Sequence, residues 1–353
     1  MKQLVFERAA LKNNIAAVQK RAGTSVIFAV LTGDGHGAGL VELAKILREE
    51  GITHFAVDEP EDVRRLREAG FQEEPVLMLR STADRGELET LLGQKAICTI
   101  GSYETAAAVN AAAEALGTRA EAHVLIDTGM GFGGFLPGDR QKLLSIYQNL
   151  PNVSITGTYT HLCAANSDTT RQMSVFQGVL DDIHAAHLEP GLVHAAGSSA
   201  LMSAAGVCLD AVRVGTAFLG TCRRKKRNSG LRPVCHGEAT LETVRWLPKG
   251  HTIGNEYQII LRRPTRVGIL PVGYQHGFGL ERTRKSGLFA CFRSWRARRR
   301  RFVTIDGKKA RVLGAIGALE TAVDITDLKC GEGDVAVFQI DTMFARGMTR
   351  VFQ

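Results

Sequence analysis

The feature that most constrains this chain is a periodicity in its first two thirds. Short runs without a polar face recur at 26–31, His54–Val57, Val76–Leu79, Ala96–Ile100, Ala122–Asp127, Ile155–Thr160, Leu192–Ala195 and Ala211–Val214. Segments with helical spacing and helical ends lie between them. Leu40–Glu50 has apolar residues at i, i+3 and i+4 and stops at Gly51. Pro60–Ala69 opens on proline with Glu61 and Asp62 in its first turn and stops at Gly70. Ser102 is placed to cap an alanine-rich helix ending at Gly117, and Thr169–His187 precedes Pro190. A strand that is apolar on both faces must be covered on both faces, which calls for a parallel sheet wrapped by helices. Eight such units predict a (β/α)8 TIM-type barrel. The competing open, doubly wound sheet would want a dinucleotide fingerprint, and none stands out.

After about Gly230 the character changes. Short strand-like runs replace the helices at Glu238–Leu247, Glu256–Leu261, Arg266–Pro271, Arg301–Ile305, Lys309–Leu313 and Asp334–Phe338. Asp306-Gly307 is a hairpin signal between two of them. The fold class is therefore α/β, a barrel over 1–228 followed by an all-β domain over 229–353. That second domain carries a basic insertion at about 282–301. Between Arg282 and Arg311 stand twelve Lys/Arg and one acid, Asp306, a local +11 in a chain whose net charge is +8. Arg293, Arg296, Arg298, Arg299, Arg300 and Arg301, interleaved with Phe292 and Trp295, suit an acidic partner, an anionic lipid surface or a nucleic acid; the bland alternative is a solvated hairpin. A second cluster runs Arg223-Arg224-Lys225-Lys226-Arg227.

The seven cysteines are scattered, with no C-x-x-C pair, so free thiols are expected and no metal site is assigned. The start, MKQLVFERAALKNNIAAV, has no secretory apolar core, and no apolar run is long enough to span a bilayer, so a cytoplasmic protein is expected.

The chemistry concentrates where barrel strands end. These ends read LTGDGHGAG from Leu31, IDTGMG from Ile126, Tyr159-Thr160-His161, HAAGS from His194 and VRVG from Val212; Pro271-Val272-Gly273-Tyr274 and Thr321–Thr326 follow in the second domain. Taken in order, these segments resemble the alanine racemases, the fold type III pyridoxal-phosphate (PLP) enzymes. The resemblance implies a homodimer and a PLP site at the barrel mouth. It also implies a Schiff-base lysine after the first strand, a tyrosine from the partner's β domain as second base, and an arginine on the pyridine nitrogen. Carried over by motif, the cofactor-contacting positions are His36, His161, Ser198, Arg213, Gly215, Thr216 and Tyr274.

The chain departs from the family where the bases belong. Thr32 stands at the lysine position and Ile253 near the catalytic tyrosine's, so no catalytic residue is assigned. Leu125 matches a lysine and Phe132 the arginine it orients; Gly314–Glu320 lacks the arginine and methionine expected there. These losses point to a degenerate member that keeps a remnant PLP or small-anion pocket and holds PLP at most non-covalently. The alternatives are a working racemase interconverting L- and D-alanine, and a nucleic-acid or membrane-surface binder using the basic segment. Some features remain two-sided. Gly33, Gly35, Gly37 and Gly39 either cradle an anion or mark a backbone that needs positive φ. His36 either meets a phosphate or is a solvated loop residue. Arg213 either faces the site or pairs with Asp127 or Asp210, and His194 either lines the mouth or is a satisfied core histidine.

Overall fold

The first strand, β1 (Lys2–Phe6), does not belong to the barrel. It pairs antiparallel with β10 (Cys235–Thr240) and parallel with β19 (Thr349–Phe352), inside a β unit made of Met1–Arg8 and Val234–Gln353. The sequence expectation had left residues 1–8 with the barrel; the apolar triplet Leu4-Val5-Phe6 is buried in the β unit instead. The structure, a computed structural model, describes residues 1–163, 166–222, 229–254, 259–280 and 301–353. Of the basic residues singled out above, Arg223–Arg227, Arg293, Arg296 and Arg298–Arg300 lie outside the described residues, as does Tyr257.

The barrel unit spans Ala9–Pro233. After helix α1 (Arg8–Ala22), eight parallel strands follow in chain order: β2 (Val26–Val30), β3 (His54–Val57), β4 (Val76–Met78), β5 (Cys98–Ile100), β6 (Ala120–Ile126), β7 (Val153–Thr160), β8 (Leu192–Gly197) and β9 (Ala211–Val214). They pair in the order β4-β3-β2-β9-β8-β7-β6-β5, and a parallel bridge from Leu77 to Ile97 closes the ring. This is the predicted (β/α)8 barrel, every strand at its expected place. Phe28, Ala56, Leu77, Ile97 and Ala211 cluster in its interior. A single turn (Thr32–His36), labelled α2, follows β2 and leads to α3 (Leu40–Glu49). Then come α4 (Pro60–Glu68), α5 (Arg85–Gly93), α6 (Tyr103–Ala115), α7 (Arg140–Gln148), α8 (Asn166–Ala185) and the short α9 (Ser198–Ser203). The capping expectation for Ser102 is met by a reciprocal box with Thr105.

The β unit is a nine-stranded sheet. Between β10 and β19 it contains β11 (Thr243–Leu247), β12 (Thr252–Ile253), β13 (Ile259–Ile260), β14 (Thr265–Leu270), β15 (Phe302–Ile305), β16 (Lys308–Val312), β17 (Thr321–Asp324) and β18 (Val335–Phe338), of which β12 and β13 form a separate two-stranded ribbon. Asp306-Gly307 makes the two-residue hairpin between β15 and β16, with φ of 46° and 70°. The expected single run Glu238–Leu247 is two strands, because Leu241 turns into the core and bonds to the backbone of Asp334.

Candidate functional site

A TIM barrel presents its chemistry at the C-terminal ends of its strands. Here β2 delivers the chain into an unusual backbone. Gly33, Asp34, Gly35 and His36 take φ of 63°, 55°, 64° and 54°, one turn of left-handed helix. A side chain costs about 1–2 kcal/mol per residue in that region, which glycine avoids. The two non-glycine members are held by contacts. Asp34 Oδ1 accepts from Leu40 N at 3.1 Å and from Arg65 Nη2 on α4 at 3.0 Å. Leu31 and Gly33 carbonyls accept from the Gly35 and Gly37 amides and close the turn. The glycine spacing of this loop is thus the requirement of a left-handed backbone.

That turn places Thr32 at its start and His36 at its end. The Thr32 hydroxyl has no hydrogen-bond partner among the described residues. His36 is not the solvated residue one reading expected: it is 8% exposed and its ring lies over Gly215. A Cβ on Gly215 would come within 2.1 Å of His36 Nε2 and 2.8 Å of the Val30 carbonyl oxygen, so only glycine permits this approach. Beside it, Ser198 Oγ accepts from the amides of Gly215 (3.0 Å) and Ala217 (3.3 Å). Two backbone donors therefore already converge on one acceptor oxygen, with Thr216 half-buried between them.

Arg213, on β9, organises the barrel interior. It is 3% exposed and pairs with no carboxylate among the described residues, so of its two readings the ion pair with Asp127 or Asp210 does not form. Its Nη1 donates to His194 Nδ1 at 2.7 Å, and its Nη2 donates to the Thr160 carbonyl at 2.7 Å and His161 Nδ1 at 3.2 Å. Its Cζ lies 4.7 Å over the Tyr159 ring, which stacks on His194, and the Tyr159 hydroxyl bonds to Thr99 Oγ1 at 2.9 Å. The guanidinium can only donate, so the facing Nδ1 atoms must accept. His194 then carries its proton on Nε2 and donates it to His123 Nδ1 at 2.9 Å. One cation therefore fixes the tautomers of three imidazoles.

Those imidazoles are neutral at neutral pH. Burial first, and the Arg213 charge second, lower His123 to about 3 and push His194 well below its ordinary value. The same two causes lower His161 to about 4, although its ring still reaches solvent at the mouth, where the Arg213 charge is the cause that survives. Burial lowers Arg213 itself to about 10, leaving it cationic. Its Nε–H, the fifth donor, has no partner among the described residues. Gly157 makes the arrangement possible, since a Cβ there would meet His123 Nε2 at 2.6 Å.

The opposite side of the mouth is of another kind. A cavity of about 250 Å³ is lined by Leu125, Ile126, Met130, Phe132 and Gly133, with Asp127, Thr160 and His161 at its polar edge. Burial works to raise the Asp127 carboxyl, but backbone bonds from Gly129, Gly131 and Met130 outweigh it and hold the group below its usual range. Phe135 pairs with the end of β6, and the loop between carries Phe132 at its tip, 88% exposed. Phe132 contributes to the apolar lining, but most of its ring faces out.

Among the sequence-derived site residues, His36, His161, Ser198, Arg213, Gly215 and Thr216 are gathered at the ends of β2, β7, β8 and β9. Tyr274, in a short 3-10 turn and 43% exposed, and Ile253, in β12, belong to the β unit. Arg301 donates to the Gly279 carbonyl and also begins the run into β15. His123 was missed: a single histidine inside the apolar run AEAHVLI carries no signal that its partners are another histidine and an arginine.

A (β/α)8 barrel that gathers Ser198, Arg213 and Gly215 at its strand ends, accompanied by a β unit, defines the class: a two-unit protein of a TIM-type barrel and a β domain. The family model for the alanine racemase N-terminal domain matches residues 7–222, and that for the C-terminal domain residues 234–347. The chain belongs to the alanine racemase family. It is 29% identical to the alanine racemase of Methylacidiphilum infernorum over 331 residues, covering 93% of this chain and 80% of that one. It is 30% identical to that of Carboxydothermus hydrogenoformans over 336 residues, 93% of this chain and 86% of that one. The structure of the alanine racemase of Clostridium difficile 630 matches with a TM-score of 0.87 at 23% identity, covering all of this chain and 95% of the other. That of the enzyme from D-cycloserine-producing Streptomyces lavendulae also matches at 0.87 and 23%, covering all of this chain and 97% of the other. At those identities the structural matches speak for the fold. The family is PLP-dependent.

Proposed function

We propose that this chain keeps the family's grip on the phosphate and pyridine of PLP and has lost its lysine-dependent chemistry, so that it binds PLP, or a small phosphate-bearing anion, without a covalent link. Thr32 carries this reading. It occupies the position after the first barrel strand that the family resemblance gives to lysine, and a hydroxyl cannot form a Schiff base. The described lysines of the barrel unit are elsewhere: Lys12 and Lys20 on α1, Lys45 on α3, Lys142 on α7, and Lys95 ahead of β5. The non-covalent contacts, by contrast, have suitable residues. The Ser198 hydroxyl, whose oxygen already accepts from the Gly215 and Ala217 amides, would donate to the phosphate, and the Arg213 Nε–H, which has no partner among the described residues, would donate to the pyridine nitrogen. When bound, PLP supplies an electron sink for negative charge at an amino acid's α-carbon. What these residues lack is a base placed to take the α-proton, a step worth about 10²–10⁴ in rate.

A second reading, a PLP-dependent racemase interconverting L- and D-alanine, is what the comparisons favour, since relatives bearing that name match across more than nine tenths of the chain. It requires an amine from outside the described residues, for which Lys225 and Lys226 are available. By family resemblance the assembly would be a homodimer under either reading.

The separating experiment mixes purified protein with PLP, treats it with borohydride and measures intact mass, spectrum and alanine racemisation. The first reading expects phosphate-dependent binding with no mass increase and no racemisation. A reduced adduct together with racemisation would establish the second.

A further inference from the structure

We infer that the β6–β7 side of the barrel mouth binds a small, uncharged, largely apolar molecule about one ring in size, and that it rejects carboxylates. The inference stands on the cavity and does not depend on whether a phosphate occupies the β8–β9 side.

Leu125, Ile126, Met130 and Phe132 give the cavity an apolar wall. Among the described lining residues the only full charge is the Asp127 carboxylate, fixed in place by the amides of Gly129, Met130 and Gly131. His161 at the edge is neutral at physiological pH, and its Nδ1 is engaged by Arg213. No Lys or Arg is among the described residues that line the cavity, and Arg213 behind it directs its Nη donors to His194, the Thr160 carbonyl and His161. A carboxylate entering here would lose water, meet no cation in the described lining and face the like charge of Asp127, each of which opposes binding. An apolar ring would lose nothing by leaving water. A purely apolar protein cavity of about 150 Å³ takes up benzene, whereas drug-sized ligands need about 300–1,000 Å³. At about 250 Å³ this cavity suits one ring with a short substituent. Thr160 and His161 at the edge offer hydrogen bonds to a hydroxyl on that substituent.

The test uses benzyl alcohol and benzoate, matched in size and differing in charge, with saturation-transfer NMR on the full chain at pH 7.5. Benzyl alcohol should bind at least about tenfold more tightly than benzoate. Phe132→Arg, at an exposed position that folding does not depend on, should narrow or reverse that ratio by about tenfold through the new cation. Leu125→Phe, which fills the cavity, should abolish the benzyl alcohol signal. Equal binding of the two compounds by the unmodified chain, no binding of benzyl alcohol at about 10 mM, or a ratio untouched by Phe132→Arg would each overturn the inference. Phosphorus NMR of inorganic phosphate in the same samples reads the other side of the mouth. Loss of that signal alone would count against the PLP reading and leave this one standing.

Discussion

The two sides of the barrel mouth have the same architecture and opposite chemistry. On the β8–β9 side, Arg213, His194, Ser198 and Gly215 are interlocked: both Nη atoms of Arg213 and the Ser198 Oγ have partners, and glycine sits where a ring or carbonyl leaves no space for a Cβ. On the β6–β7 side, Leu125 and Phe132 give the mouth an apolar lining, and the loop glycines Gly131 and Gly133 have open space around them. The difference shows which part of an inherited site is also structural. Buried polar groups that satisfy one another cannot be exchanged singly without leaving an orphan, so they persist whether or not a ligand is bound. Groups at an exposed rim satisfy only the ligand and are free to change.

The comparison breaks most directly at Arg213. Arg213→Met would leave the Thr160 carbonyl and two imidazole nitrogens without their donor in the barrel interior. A loss of about 3–5 kcal/mol in urea unfolding is expected, as for removal of one member of a buried charged network. A loss below about 1 kcal/mol would mean that the interlock is not structural.

Gly215→Ala is next. Its Cβ would collide with His36 Nε2 and the Val30 carbonyl, for an expected cost of about 1–3 kcal/mol. Adding His36→Ala should recover part of that cost but not all, since the carbonyl remains. Gly131→Ala, across the mouth, meets no atom within 4 Å and bears only the strain of its φ of 73°, so about 1–2 kcal/mol at most is expected.

The pH dependence sharpens the same contrast. His123 and His194 have folded pKa values below their unfolded ones, so above about pH 6.5 both states are neutral and the contribution is fully present. As pH falls below that, the unfolded chain takes up protons that the folded barrel refuses. Stability should then fall toward the folded pKa, about 3 for His123, by about 1.4 kcal/mol per pH unit for each histidine. Unfolding midpoints between pH 7 and 4.5 measure this slope, and His123→Asn should remove one histidine's share. A flat profile would mean that the imidazoles are protonated within the barrel.

How much of this was legible follows from where each signal lives. The eight strands announced themselves because short, mostly apolar runs recur between segments with helical spacing and helical ends. Ser102 and Asp306-Gly307 carried their local geometry in their own identities. The glycines of LTGDGHGAG are visible in the sequence and take the positive φ that one reading asks of them, yet the left-handed turn itself needs four consecutive dihedral angles that no residue type dictates alone. β1 escaped because its partners, β10 and β19, lie more than two hundred residues away in sequence. The site residues were found by their motif. The partners of Arg213 were not legible, since they come from β7 and β8 and are neutral, while the partners that one of its two readings offered were the carboxylates of Asp127 and Asp210. Asp127 caps the amides of its own loop, and Asp210 accepts from the Val193 amide.

The smallest effect is expected at Phe132. With 88% of the residue exposed, the ring buries too little area to matter to folding, and Phe132→Ser should change unfolding free energy by less than about 0.5 kcal/mol. Leu125 lines the same cavity but is half-buried, so Leu125→Ala should cost more, though less than the roughly 2–5 kcal/mol of a fully buried leucine. The order of the two separates a rim from a wall. If Phe132→Ser proves the more costly, the ring packs against something in solution, and analytical ultracentrifugation of both variants would show whether that something is a second copy of the chain.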